Sequence, residues 1–95
     1  MDVSTSGNNI IIKGNIKSVS DYQVLKDKLE ELRKNNGSIL LSIEDSISVT
    51  SSIIGYLTKL VQKEGIDLSI RVGDSSLYEL FDDLNLVTLF KVKKV

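Results

Sequence analysis

The sequence predicts one α/β domain: a mixed four- to five-stranded sheet packed with about three to four helices, in the order β-β-α-β-α-β-α-β. Three observations predict it. Short β-branched runs alternate with stretches of helical periodicity, which implies parallel strands joined by right-handed crossovers. The chain has 95 residues, near the lower end of domain sizes, so residues 1–95 hold one core and no second domain. Hydrophobic residues make up 41% and charged residues 26%, enough apolar surface to offset the entropy of ordering the chain.

The elements follow in order. Asn9 to Ile16, with three consecutive isoleucines, is β-branched and bounded by turn residues, and reads as a strand. Asp2 to Ser6 supplies an edge strand that turns back through Gly7-Asn8-Asn9 as a hairpin. Tyr22, Leu25, Leu29 and Leu32 recur at helical spacing and predict a helix over about 21–34. Ser20 and Gln23 have capping-box spacing, and Asn35-Asn36-Gly37 offers a left-handed exit.

Ser38 to Ile43 is an apolar run too short for a helix and reads as a central strand. Thr50-Ser51-Ser52 then provides capping hydroxyls for a second helix with Ile53, Leu57, Leu60 and Val61 on one face and Gly65 as its stop. Ile66 to Val72 alternates as a strand. After the Gly73-Asp74-Ser75 turn, Leu77, Leu80, Phe81 and Leu84 stripe a third helix, with Ser76 and Glu79 as a capping box and Asn85 as its end. Leu89 to Val92 is the expected last strand. Lys91, Lys93 and Lys94 form its solvated face and discourage edge pairing.

Absent residue types limit the chemistry. Histidine, cysteine, proline and tryptophan are all missing, so neither a thiol nucleophile nor an imidazole base exists and no disulfide can form. The expectation is a protein that is not an enzyme and uses no cofactor or metal. Twelve basic against thirteen acidic residues give a net charge of −1 with no long run of one sign, which disfavours nucleic acid and anionic membranes as partners. No segment approaches the ~20 apolar residues of a spanning helix, and no basic opening leads into an apolar run. Direct membrane insertion is not expected, and a cytoplasmic location is.

Other motifs weigh little. Glu44 and Asp45 follow a strand toward the carboxyl edge of the sheet, but adjacent side chains in an extended segment diverge and read as a solvated loop. Asp82-Asp83 reads as an exposed helix face. The six glycines never cluster into a phosphate loop, and Tyr22, Tyr56 and Tyr78 fall on three different helices. The constellation that stands out is Thr50-Ser51-Ser52, where a loop enters a helix. A phosphate there would face unpaired amides and the positive end of the helix dipole, and would change the surface without unfolding the domain.

The stretch Ile39 to Gly55, ILLSIEDSISVTSSIIG, resembles the central strand, loop and second-helix start of STAS domains, the anti-sigma factor antagonist family. Gly14-Asn15-Ile16-Lys17 is similar to that family's Gly-x-Leu/Ile-Asp turn. Leu77 to Leu86 is similar to its third helix and following Gly-Leu, with Asn85 in the glycine's place. The resemblance runs in order over about 85 residues. Against the family's Asp-Ser-Ser/Thr-Gly motif, Thr50 takes the aspartate place, Ser51 the first hydroxyl, Ser52 the usual phosphoacceptor and Ile53 the glycine.

The resemblance implies a signal-transduction protein that binds an anti-sigma factor or serine switch kinase until phosphorylation at Ser52, or at Ser51, weakens the contact. Partner-binding residues would be Ile47, Ser48, Thr50, Ser51, Ser52, Ile54 and Tyr56. Ile54 and Tyr56 fall off the second helix's stripe, so that one or both are expected to be exposed. The alternative is a non-phosphorylated adaptor that buttresses an ATPase, like the small STAS subunit of bacterial lipid-transport ABC systems. A third possibility, a small enzyme or ligand carrier at the carboxyl edge, lacks a catalytic pair. The chain itself is expected to be a monomer or weak dimer.

Overall fold

A computed structural model describes all residues from Met1 to Val95. Five strands and three helices follow in order: β1 Asp2–Ser6, β2 Asn9–Lys13, α1 Val19–Arg33, β3 Ser38–Ile43, α2 Ser51–Gln62, β4 Asp67–Val72, α3 Ser75–Asp83 and β5 Val92–Lys94. The strands form one mixed sheet in the spatial order β1-β2-β3-β4-β5. β1 is antiparallel to β2, and the remaining pairs are parallel. Gly7, at φ +59°, takes the corner of the two-residue β1–β2 turn, a conformation that side chains disfavour.

Side chains alternate across a strand, and the register puts the apolar half of each strand on the same face. Ile10 lies beside Leu41, Leu41 beside Ile70, and Ile70 beside Val92. All four are buried in a core that also takes Leu25 and Leu29 from α1, Ile53, Leu57 and Leu60 from α2, and Leu77 and Phe81 from α3. The helices therefore share one side of the sheet. Winding explains this: each parallel step moves to the next neighbour in the same direction, and right-handed crossovers then all fall on one face. The opposite face has no helix over it, and no reversal of strand order creates a crevice of the doubly wound kind.

Local chemistry sets the ends, and several differ from expectation. Ser18, not Ser20, caps α1: its Oγ accepts from the Asp21 amide at 3.1 Å while Asp21 accepts from the Ser18 amide at 3.3 Å and the Lys17 amide at 3.0 Å. The Gln23 amide instead donates to Asp27 at 2.8 Å. Gly37 is not left-handed; the Asn36 side chain covers the α1 end by donating to the Leu32 carbonyl. Gly65, at φ +68°, ends α2 as expected. Asp74, in place of Ser76, caps α3 by accepting from Ser76 and Leu77.

The last strand begins later than its sequence suggests. Asn85, at φ +59°, closes α3, with the Leu86 amide donating to the Phe81 carbonyl at 2.8 Å and the Asn85 amide to Asp82 at 3.0 Å, the bonds of a Schellman end. A further turn follows, in which Phe90 donates to Leu86 and Val92 to Val87. That turn drives Phe90 into the core edge-on to Phe81, with ring centroids 6.0 Å apart. Leu89 and Phe90 thus serve core closure, and Val92 to Lys94 form the strand.

Lying chiefly against the Lys17 amide, and then the Ser18 amide, the Asp21 carboxyl titrates below its ordinary 3.8. A carboxyl lowered by folding adds stability above its unfolded value and loses it as pH falls through the folded one. In Asp21→Asn, urea midpoints followed from neutral pH into acid are expected to start lower and fall less steeply below about pH 4.

Candidate partner-binding site

Three loops meet at the carboxyl end of the parallel strands: residues 14–18 after β2, 44–50 after β3, and 73–74 after β4. Asp45 accepts from the Gly14 amide at 2.7 Å, the buried Ser46 hydroxyl donates to the Gly14 carbonyl, and Asn15 accepts from the Ile47 amide at 3.0 Å. These bonds fasten the loop after β3 to the loop after β2. On its other side the Gly73 amide donates to the Ile43 carbonyl at 2.9 Å. Gly73 approaches so closely that a Cβ there would lie 2.0 Å from the Glu44 carbonyl oxygen.

Glu44 and Asp45 divide between two tasks, as adjacent side chains in extended backbone must. Glu44 faces Lys13 across a loose, exposed 3.9 Å pair, while Asp45 is a structural tie. No three acidic side chains gather into a metal site anywhere in the chain.

The fastened loop presents Ile47 and Ser48 to solvent and leads into α2. Thr50 caps the helix, its Oγ1 accepting from the Ile53 amide at 3.3 Å. Ser51 and Ser52, the first two helical residues, are exposed; neither their hydroxyls nor their amides have a partner within the protein. Of the three hydroxyls picked out by the sequence, one is thus committed to capping and two are free. In the loop before them, Ile47 is 57% exposed, and at the start of α1 Val19 is 84% exposed.

Ile53 is fully buried, and Thr50 enters the helix with φ −79° and ψ 155°. Ordinary capping geometry lets a β-branched residue stand where the resembled motif has glycine, because its side chain belongs to the core.

Tyr56 corrects an expectation. The buried stripe of α2 is Ile53, Tyr56, Leu57 and Leu60, with Val61 left half-buried, so the helix is rotated toward Tyr56 and no partner can reach that ring. Its ring packs between α1 and α2 with the Lys26 ammonium 5.6 Å from its centroid. The Oη is buried close to the Glu30 carboxylate but makes no well-formed hydrogen bond to it. Burial, with the Glu30 carboxylate adding to it, pushes the phenol well above its ordinary range. Ile54 is half-buried and packs at the rim of the core. The solvent side of α2 is instead Ser52, Gly55, Lys59 and Gln62.

Compared with protein-family models, curated proteins and solved structures, the chain matches none. No helix is long and apolar enough to cross a membrane.

Two substitutions test this geometry. Gly73→Ala forces the loops apart and is expected to lower stability by about 1–3 kcal/mol, read as a drop in urea midpoint. Removing this poorly bonded hydroxyl in Tyr56→Phe is expected to change stability by no more than about 1 kcal/mol. A loss of more than that would show that Oη has a partner.

Proposed function

We propose that this chain is a protein-interaction module of the anti-sigma factor antagonist kind, which docks an anti-sigma factor or switch kinase through the loop before α2 and is released by phosphorylation at Ser52. One observation carries this reading: at the head of α2 two serines stand exposed and unbonded, just after the fastened loop that holds Ile47 out to solvent. Ile47 supplies an apolar side chain to bury, and a few desolvated anchors carry most of an interface's energy. The loop bearing Ile47 is already tied down on both sides, so little ordering opposes docking.

The serines supply the control. Phosphate at Ser52 adds about −1.5 to −2 charges at the head of the helix that this loop leads into. The unpaired amides at the helix start and the positive end of its dipole tolerate such a charge in the folded state. Phosphorylation then alters what α2 presents and leaves the domain folded. Ser48 and Thr50 flank the contact, Ile54 borders it, and Tyr56 stays beneath it. The resemblance over Ile39 to Gly55 assigns the same loop and helix start.

The test measures the affinity of purified switch kinases from the source organism for wild-type chain, Ser52→Ala and Ser52→Asp. Wild type and Ser52→Ala are expected to bind, with Ser52→Asp at least about tenfold weaker and its thermal midpoint unchanged or raised. Kinase and ATP should place one phosphate on wild type and none on Ser52→Ala. Equal binding by Ser52→Asp would overturn the switch, and with no phosphate taken up would favour a constitutive adaptor.

A further inference from the structure

The face of the sheet away from the helices has chemistry of its own. Parallel strands are ordinarily covered on both faces, yet here β2 to β5 are covered on one. On the bare face Arg71 of β4 lies directly beside Lys93 of β5, and like charges at neighbouring register positions destabilise a sheet. Neither has a carboxylate within ion-pairing distance or any side-chain hydrogen bond, whereas the nearby Lys91 is paired with Asp67. Lys91 holds a left-handed φ of +49°, uncommon for a residue with a side chain and a mark of constraint. Two positive charges are thus left unmatched at one place.

They border a groove of about 450 Å³ on this face, with the half-buried Leu40 and Ser69 among its lining and the Lys91–Asp67 pair along its side. That volume is within the range of small-molecule sites. The unmatched cations stand together instead of tracking across the sheet: the bare face's other cations, Lys91 at the groove and Lys13 on β2, are paired with Asp67 and Glu44. Between them the face offers Ser42 and Ile11, register neighbours without charge. A long acidic partner would find nothing to follow there, but a compact anion would.

We infer that this groove binds a small organic anion carrying two negative charges, as a dicarboxylate or a phosphate ester, with its acid groups at Arg71 and Lys93 and its short carbon chain over Leu40. The planar guanidinium can take a carboxylate or phosphate in two parallel hydrogen bonds, and the ammonium serves as a point charge. The Ser69 hydroxyl supplies a further donor. The site lies on the face opposite the helices and does not rest on the role proposed for Ser52.

Amide NMR titrations of the intact chain with succinate and with inorganic phosphate test it, against sodium chloride at matched ionic strength. Saturable shifts are expected for residues 69–71 and 92–94 with at least one probe, and which probe binds tells carboxylate from phosphate recognition. In Arg71→Gln and in Lys93→Gln the affinity should fall about tenfold or more, the loss of one charge-assisted hydrogen bond, while Lys13→Gln should bind as wild type. Shifts no larger than those with sodium chloride for both probes would overturn the inference. So would saturable shifts centred on Ser51 and Ser52, or binding unchanged in both groove variants.

Discussion

Right-handed crossovers constrain everything else in this domain. From β2 to β5 each step goes to the next strand in the same direction, so every helix must pack on the same face. One core results, with Ile10, Ile12, Leu41, Ile43, Ile70 and Val72 under three helices. The same constraint leaves the other face bare and brings the three loops at the carboxyl end into contact. The candidate docking loop and the cationic groove are thus two consequences of one winding rule, on different sides of the sheet.

At the carboxyl end of the sheet, stability and exposure are divided among neighbours. Asp45, Ser46 and Asn15 spend their polar groups on the adjacent loop, Thr50 spends its hydroxyl on Ile53, and Ile53 enters the core. What remains outward is Ile47, Ser48, Ser51 and Ser52. Buried polar groups must find partners, so in a loop this tightly fastened the hydroxyls left unbonded are the ones open to a second molecule. Ser46 and Ser52 are chemically identical; their surroundings make one a tie and the other a surface.

Much of the fold was legible because each element announces itself locally. The alternation in Leu68, Ile70 and Val72, the brevity of Ser38 to Ile43 and the turn at Gly7-Asn8 specify strands and hairpin through their own sterics. Caps were harder to place, since Ser18 and Ser20, or Asp74 and Ser76, offer nearly equal local chemistry and the choice depends on where the chain enters the helix. Leu89-Phe90 has strand-like composition, yet the space beside Phe81 draws it into a turn.

By itself the sequence determined the class of fold, the order of its eight elements, the lack of thiol and imidazole chemistry, and the cluster of hydroxyls at the head of α2. These are properties of residue types and their spacing, and they need no distant neighbour. Tertiary structure alone decided that Tyr56 is inside and that Arg71 and Lys93 stand together uncompensated. Those outcomes depend on helix rotation and strand register, set by packing between segments distant in the chain.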